Sequence, residues 1–294
     1  MMVSASYARP QAALLINPRA GRNAADPVAR AALKRSFARF GPCVETDHPT
    51  EVDALVRGWY AEGIRWIVVC GGDGTLQSLA GALVRAWPGR TLPDLSLLHG
   101  GTTGLVAHAI GAGEARVQTL DIGGRICFNL GIGLVSDVSE AYVATQTTTG
   151  PVRFAASLAL SALFGGQLAQ RSMGGWRGGV QLDDGPVRNG HILGLYASAL
   201  DRGGLGPVRA FDQPERDARA LRVLVADLTP RAAALGVVPL LLGVGVSGLA
   251  VSVARRLRLV PDGPSRFMAD GEQYPFDAPL SVGAGPTLTF VPPP

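Results

Sequence analysis

Three glycine-rich turns, each placed after an apolar run, are the features of this sequence best suited to chemistry. They read NPRAG at residues 17–21, GGDGT at 71–75 and GGTTG at 100–104. Backbone N–H groups in such a turn can approach a phosphate closely, and the start of a following helix adds positive potential. Asp73, between two glycines, could hold Mg²⁺ on a nucleotide or take a proton from an attacking hydroxyl. A helix N-cap is the structural alternative for the same side chain.

Two common phosphate-binding motifs are absent from the sequence. A P-loop needs a lysine after its glycines, and Lys34 is the only lysine in the chain, outside any such context. No G-x-G-x-x-G follows the first apolar run, which excludes the dinucleotide-binding fingerprint. The glycine turns therefore predict a phosphate site of another kind.

The composition favours a folded chain that handles phosphate groups. Of 294 residues, 47% are hydrophobic and 17% are charged, and the 39 glycines and 21 prolines argue against a helical bundle. The net charge of +4 comes almost entirely from arginine, without a basic run or an aromatic ladder, so we expect no nucleic-acid partner. Cys43, Cys70 and Cys127 are scattered and indicate neither a disulfide framework nor a zinc site. With no secretory signal recognised, we expect a cytoplasmic protein.

The first half of the chain alternates apolar strands with amphipathic helices. This order predicts an α/β domain with a parallel sheet, right-handed crossovers and functional loops at the carboxyl ends of the strands. Thr50 is the expected N-cap of the second helix. The predicted strands are residues 12–17, 43–46, 66–70 and 95–98, and the predicted helices are 27–40, 50–61, 76–87 and one that ends at Ile110.

The second half of the chain has a different pattern of apolar and turn-forming residues. From about residue 118, short strand-like pieces separated by Gly, Asp and Pro predict an antiparallel β-sandwich, interrupted by a helix over the apolar block 154–164. A second apolar block, 232–254, is long enough to cross a bilayer. Its Gly, Pro and Ser residues instead favour a helix over 230–242, a turn and one buried strand over 249–259. We therefore expect no membrane span and two domains, 1–117 and 118–294, with a last strand that could return to the first domain.

NPRAG, GGDGT and a late DGE at residues 270–272 resemble the lipid kinases of the diacylglycerol kinase catalytic-domain superfamily, which includes bacterial lipid kinases, sphingosine kinases and ceramide kinases. The resemblance covers nearly the whole chain in the correct order. It implies a nucleotide-binding α/β domain followed by a β-sandwich that binds lipid. It also implies ATP and Mg²⁺ as cofactors and transfer of the γ-phosphoryl group to a lipid hydroxyl.

The resemblance also implies roles for individual residues. Glu272 lies where bacterial members have their proposed general base, whereas the sphingosine kinase branch assigns that role to the aspartate of GGDG, here Asp73. Both are candidates, one to orient Mg²⁺ and the other to accept the hydroxyl proton. The implied nucleotide-binding residues are Asn17, Thr46, Gly71, Gly72, Asp73, Gly74, Thr75, Gly101, Thr102, Arg153, Asp270 and Gly271.

Several positions separate this chain from the bacterial pattern. Gly104 and Leu105 stand where the family usually has Asn and Asp, and sphingosine kinases also have a small apolar residue in place of that Asp. Asp137 resembles the sphingosine kinase residue that holds the lipid head-group, and Arg153 resembles the phosphate-binding arginine of that branch. A turn aspartate and a solvated helix residue are the structural alternatives for these two. Where bacterial members bind a second, structural magnesium, this chain has Ala218-Arg219, so no such site is predicted.

These features favour ceramide or a sphingoid base as the acceptor, with diacylglycerol as the alternative. A catalytically degenerate protein that binds lipid or nucleotide is a second hypothesis, and an enzyme similar to NAD kinase is a disfavoured third. We expect a lipid substrate and peripheral association with a membrane, since the interrupted apolar blocks suit a lipid pocket better than a span. A homo-oligomer is left open.

Overall fold

The structure is a computed structural model that describes residues 12–100, 105–110, 113–145, 151–200, 219–241 and 246–293. By its internal contacts the chain divides into two units, which we consider separately. The first unit comprises Met1–Val117 together with Leu288–Pro294, and the second comprises Gln118–Thr287.

The first unit is built on a parallel sheet with the strand order β2-β1-β3-β4, and the end of the last strand of the chain lies parallel to β4 through Phe290 and Leu95. Strand β1 is buried throughout, as expected of a central parallel strand. The elements are β1 Ala12–Ile16, α1 Gly21–Ala25, α2 Pro27–Phe37, β2 Cys43–Glu45, α3 Pro49–Ala61, β3 Trp66–Gly71, α4 Asp73–Ala86, β4 Asp94–His99 and α5 Leu105–Ile110.

The helix starts differ from the sequence predictions at two places. Helix α3 begins at Pro49 with His48 as its N-cap, so the prediction that Thr50 caps this helix is wrong. Proline is favoured at the first helical position because its fixed φ suits the helix and its missing N–H needs no partner. Helix α4 begins at Asp73, three residues before the predicted start, and therefore includes part of the GGDGT turn.

The second unit contains two sheets whose pairings are antiparallel. One has the order β12-β11-β10-β7-β14-β15, and in the other β16 pairs with β13, β13 with β8 and β8 with β9, while β5 and β6 form a hairpin beside β16. The elements are β5 Ala115–Ile122, β6 Arg125–Cys127, β7 Asn129–Gly133, α6 Leu134–Thr145, α7 Pro151–Phe164, α8 Gln167–Ser172, β8 Trp176–Leu182, β9 Arg188–Ile192, β10 Gly194–Ser198, β11 Leu221–Ala226, α9 Pro230–Leu241, β12 Leu249–Ala254, β13 Arg256–Pro261, β14 Ser265–Ala269, β15 Glu272–Phe276 and β16 Leu280–Phe290.

One apolar core joins the two sheets of the second unit. Ile132 and Leu195 contribute from the first sheet, and Leu257 and Leu259 from the second; all four side chains are buried. Packing two sheets face to face over such a core is what defines a sandwich. The predicted fold class, an α/β half followed by an antiparallel β-rich half, is confirmed.

The prediction of one strand over 249–259 is wrong. Residues 249–254 pair with β11 in one sheet, and residues 256–261 pair with β8 in the other. The change of sheet falls at Arg255, where the carboxylate of Asp183 accepts hydrogen bonds from the backbone N–H groups of Arg255 and Arg256 at 2.8 and 2.9 Å. These bonds satisfy the donors that a corner would otherwise leave unpaired.

The first apolar block forms helix α7. The second forms helix α9 as far as Leu241, with Pro239 inside it, and strand β12 from Leu249. Among the residues described, no helix has both the length and the apolar character needed to cross a membrane.

Candidate functional site

The first two glycine-rich turns are joined by a direct hydrogen bond. Asn17 follows β1 directly, and its side-chain amide donates to the Thr75 hydroxyl at 2.9 Å. The other side of the same amide accepts the backbone N–H of Arg19 at 2.9 Å, which fixes its orientation. The NPRAG and GGDGT turns therefore form one surface at the carboxyl edge of the sheet, where parallel α/β folds bind their ligands.

Glycine is needed at the entry to this surface. A Cβ atom at Gly71 would lie 2.7 Å from the Thr75 side chain, and one at Gly100 would lie 2.6 Å from the Asn23 amide. Asn23 is buried and donates to the Cys70 carbonyl at 2.9 Å and to the Asn17 carbonyl at 2.8 Å. Glycine is therefore required at these two positions by the packing of the turns themselves.

Asp73 is the first residue of α4, and Gly72 holds the N-cap position. The alternative in which Asp73 is the N-cap is therefore wrong. Its Oδ1 atom accepts the backbone N–H of Val106, in helix α5, at 3.3 Å. An anionic side chain in the first turn of a helix is stabilised by the helix dipole. Asp73 thus connects the second glycine turn to the helix that follows the third.

The third turn is described only at its beginning. The Gly100 carbonyl accepts the backbone N–H of Arg22 at 3.0 Å, which ties this turn to the NPRAG turn. Gly101 and Thr102, the predicted nucleotide-binding residues of the third turn, lie outside the described residues, as does Gly104.

Thr46 lies just beyond β2 and is buried. Its hydroxyl donates to a carboxylate oxygen of Glu51 and accepts the backbone N–H of His48 at 3.2 Å. The next residue, Asp47, forms an ion pair with Arg19 of the NPRAG turn. The loop that carries Thr46 therefore contacts the NPRAG turn, which begins at Asn17. The Thr46 hydroxyl itself is hydrogen-bonded within its own loop, to Glu51 and His48.

The DGE motif forms a tight turn in the second unit. Asp270 and Gly271 have φ values of +46° and +95°, a conformation that favours glycine at the second position. The Asp270 carboxylate accepts the backbone N–H groups of Phe128 and Asn129 at 2.9 and 2.8 Å. A carboxylate held by several such donors is well suited to fixing a turn.

A buried polar network holds the DGE turn in place. The amide of Asn129 donates to Asp270 at 3.2 Å, and its oxygen accepts the hydroxyls of Tyr196 and Ser198 at 2.6 and 2.9 Å. All three of these supporting side chains are buried. Asn129 is not among the residues predicted from the sequence, because its apolar surroundings in RICFNLGIGL carry no signal for a polar site.

Glu272 is exposed at the start of β15 and accepts a hydrogen bond from the hydroxyl of Tyr274, two residues along the same strand. The guanidinium of Arg125 lies 3.7 Å from the centre of the Tyr274 ring. Burial first, and then the bond to Glu272, raise the pKa of Tyr274 to about 12, so its hydroxyl keeps its proton and remains a donor. The sequence could have suggested this pair, because residues i and i+2 of a strand share a face.

Asp137 lies in the first turn of α6, next to the DGE turn. The neighbouring Ser136 donates to Gln273 Oε1 at 2.7 Å, and Gln273 returns a bond to the Ser136 carbonyl at 2.9 Å. Burial, followed by the charge of Glu140, raises the pKa of Asp137 to about 6. The bond between Ser136 and Gln273 joins the start of α6 to β15, and the charges that act on the Asp137 carboxyl are those of Glu140 and Arg266.

Arg153 is exposed in the first turn of α7. The next residue, Phe154, packs its ring edge-on against Tyr142 of α6 at 5.4 Å. This contact holds the start of α7 beside the helix that carries Asp137. The predicted site residues thus fall into two groups, one around Asn17 and Asp73 in the first unit and one around Asp270, Glu272 and Asp137 in the second.

No group of three or more His, Cys, Asp or Glu side chains that could hold a metal ion occurs within the described ranges. Asp73, the predicted Mg²⁺ ligand, is therefore not part of such a group there. Ala218 lies outside the described residues, and Arg219 begins the segment before β11.

Comparison with solved structures establishes the fold. A protein from Bacillus anthracis str. Sterne, provisionally assigned as a diacylglycerol kinase, is 15% identical with a TM-score of 0.70 and covers 97% of this chain and 98% of its own. A diacylglycerol kinase from the same strain is 14% identical with a TM-score of 0.65, and the match covers 97% of both chains. None of the curated proteins compared with the chain matches it.

The family comparison concerns the first unit and the hairpin after it. Residues 11–125 match the model of the diacylglycerol kinase catalytic domain, and this range includes both NPRAG and GGDGT. The resemblance drawn from these motifs is confirmed for residues 11–125, which match the diacylglycerol kinase catalytic domain.

Proposed function

We propose that this protein is a lipid kinase that transfers the γ-phosphoryl group of Mg-ATP to the hydroxyl of ceramide or a sphingoid base. The observation that carries the proposal is the hydrogen bond between Asn17 and Thr75, because it makes one ligand surface out of two turns of a diacylglycerol kinase-like domain. Diacylglycerol is the alternative acceptor.

The turns of the first unit suit the phosphates of a nucleotide. Backbone N–H groups of glycine-rich turns can approach a phosphate closely, and the bond between Asn17 and Thr75 holds two such turns together. The start of α4, a helix of 14 residues, adds favourable potential for an anion. We propose that Asn17 and residues 71–75 bind the ATP phosphates.

Asp73 is the residue we propose for Mg²⁺. At phosphoryl-transfer sites Mg²⁺ is usually bound through one or two carboxylates and the phosphates themselves, so a dedicated cluster of protein ligands is not required. When bound, the metal would neutralise charge on the transferring group. The Asp73 carboxylate already faces the helix after the third turn, since it accepts the Val106 N–H.

The transfer itself requires an acceptor for one proton. The bond between the γ-phosphorus and its bridging oxygen breaks, a new bond forms to the lipid oxygen, and the hydroxyl proton passes to a carboxylate. Glu272 and Asp73 are both proposed for this role. Exposure and the hydrogen bond from Tyr274 support Glu272 as an oriented base.

The second unit supplies the preference for a sphingolipid. Asp137 lies beside the DGE turn and is partly buried, so its carboxyl could bond the hydroxyl or ammonium of a sphingoid head-group. Arg153, exposed at the start of α7, could bind the transferring phosphate because guanidinium groups match phosphate geometry. Diacylglycerol lacks the nitrogen that Asp137 would recognise.

The test is a kinase assay with labelled ATP and matched micelles of ceramide, sphingosine or diacylglycerol. We expect label in ceramide or sphingosine, and an absence of label in all three lipids would contradict the proposal. Thr75→Val removes the hydroxyl that Asn17 bonds and should raise the KM for ATP about five- to tenfold, the effect of one lost hydrogen bond. Thr91→Val, at an exposed position, is the matched control.

A nucleotide-binding protein without kinase activity is the second candidate, favoured by Gly104 and Leu105 in place of Asn and Asp. Calorimetry distinguishes the two, because a degenerate protein would bind ATP while the assay shows no transfer. Phosphorylation of NAD in the same assay would instead support an enzyme similar to NAD kinase.

A further inference from the structure

Helices α7 and α9 of the second unit pack against each other and expose large apolar side chains. Phe164 is 83% exposed and Leu160 57% exposed on α7, and Leu235 is 61% exposed on α9. Leu160 and Phe164 are four residues apart and therefore share one face of their helix. Exposed apolar side chains grouped in this way mark an interaction surface more often than single ones do.

Helices α7 and α9 pack into the apolar core through side chains other than the exposed ones. Leu158 and Ala162 of α7, and Ala233 and Ala234 of α9, pack into a cluster with Leu193. On α7, Leu160 and Phe164 are each two residues, about half a turn, from these core positions. The outward apolar residues are thus additional to those that hold the helices in place.

The chain segments that carry this surface have charged residues of one sign only. Residues 151–182 and 228–261 contain no aspartate or glutamate. Arg171 and Arg231 are exposed on α8 and α9, and neither forms an ion pair with any residue in the described part of the chain. Arg266, in contrast, pairs with Glu140 at 3.4 Å.

The arginines lie next to the apolar residues. Arg231 precedes Leu235 by one helical turn, which puts both on one face of α9. Arg171 follows Gln170, whose amide donates to the Gly165 carbonyl at 2.9 Å, directly after Phe164. An apolar centre bordered by arginine is the arrangement of elements that lie in a membrane interface.

We propose that the α7–α9 face, defined as Leu160, Phe164, Leu235, Arg171 and Arg231, docks on the surface of an anionic lipid bilayer. The apolar side chains enter the boundary between head-groups and acyl chains, while the guanidinium groups bind lipid phosphates. The inference rests on the proposed function in one respect: a kinase whose acceptor is a membrane lipid must work at such a surface.

The test is co-sedimentation of the full chain with vesicles of phosphatidylcholine alone or with added phosphatidylglycerol. We expect binding to the anionic vesicles and at least about tenfold weaker partitioning for Leu160→Gln/Phe164→Gln. Arg171→Gln/Arg231→Gln should lose about tenfold on anionic vesicles only. Val28→Gln, which changes an equally exposed apolar residue on α2 (76% exposed), is the matched control and should bind as the unchanged protein does.

Two further measurements separate docking from catalysis. With a short-chain, water-soluble lipid acceptor, the Leu160→Gln/Phe164→Gln variant should keep the kcat of the unchanged protein, whereas its rate on vesicle substrate falls. Equal vesicle binding by this variant and the unchanged protein would overturn the docking proposal. So would conversion of a dimer to a monomer by the variant without a change in sedimentation, since the face would then bind a second copy. If the proposed function is wrong, no lipid acceptor receives a phosphoryl group. The co-sedimentation experiment still shows whether the α7–α9 face binds anionic vesicles.

Discussion

The two groups of candidate residues are built in different ways. Around Asn17 and Asp73, the contacts are made by turn residues that follow neighbouring strands of one sheet, and the closest of them involve backbone and glycine. Around Glu272, the turn is held by side chains from distant parts of the sequence, such as Asn129, within a buried polar network. The first group is suited to binding phosphate, and the second to holding titratable side chains in place.

This difference predicts that mutations of the Asp73 carboxylate affect activity far more than stability. The largest effect is expected for Asp73→Asn, which keeps the size of the side chain and removes its charge. We expect kcat to fall by about 10²- to 10⁴-fold, the contribution of a positioned acid–base or metal-binding group. The free energy of unfolding should fall by no more than about 1 kcal/mol, through the lost interaction with the helix dipole. Steady-state kinetics with ATP and lipid measure this.

Asp53→Asn is the control for that variant, because Asp53 forms an exposed ion pair with Arg85 at 2.6 Å on α3 and α4, away from the turns. It should keep its rate. A normal kcat for Asp73→Asn would remove this carboxylate from the mechanism and leave the glycine turns as a binding surface alone.

Glu272→Gln tests the corresponding carboxylate of the second group. Glutamine still offers an oxygen to the Tyr274 hydroxyl, so the fold of the DGE turn should persist while the proposed base is lost. We expect kcat to fall by about a hundredfold or more with little change in the KM for ATP. Glu114→Gln, at an exposed position before β5, should retain full activity.

A comparison of the two variants then assigns the base. If only Asp73→Asn is impaired, Asp73 serves both as the Mg²⁺ ligand and as the base, and Glu272 has no part in the transfer. If both are impaired, the division of labour between a metal-binding and a proton-accepting carboxylate is supported.

Asn129→Ala should affect stability where the turn variants do not. It removes the Asn129 oxygen that accepts the buried hydroxyls of Tyr196 and Ser198, so that the Ser198 hydroxyl keeps only the longer bond to the Phe128 carbonyl at 3.4 Å, and it removes one donor to Asp270. Unsatisfied buried groups cost about 1–3 kcal/mol each, so we expect the melting temperature to fall by roughly 5–12 °C. Differential scanning calorimetry measures the change, with the exposed Asn189→Ala as its control. An unchanged melting temperature would mean that the network does not support the DGE turn.

The sequence predicted the first group better than the second for a physical reason. Glycine turns after apolar strands are local patterns, and parallel topology brings the carboxyl ends of such strands together without further information. The bond from Ser136 to Gln273 joins residues 137 positions apart, and no local pattern specifies such a pairing. The error at residues 249–259 has the same origin, since the corner at Arg255 depends on Asp183, 72 positions away. At Pro49, by contrast, the signal for the helix start was local and was misassigned to Thr50.

The smallest expected effect concerns Asp137, whose pKa is raised from an ordinary value of 3.8 to about 6, chiefly by burial. Between those two values the folded protein binds more protons than the unfolded chain, so the free energy of unfolding decreases as the pH rises from about 4 to about 6. Above pH 7 the folded state carries this penalty in full. Asn cannot ionise, and Asp137→Asn should therefore melt about 1–3 °C higher than the unchanged protein at pH 7.5, an effect reduced by partial exposure of the site. The difference should vanish near pH 4.

Asp184→Asn, whose side chain is 90% exposed, should show the same small difference at both pH values. A gain for Asp137→Asn that does not depend on pH would mean that packing, rather than the buried charge, limits stability at this position. If a sphingoid ammonium binds here, saturating sphingosine should stabilise the unchanged protein more than the variant at pH 7.5, because only the carboxylate can pair with it.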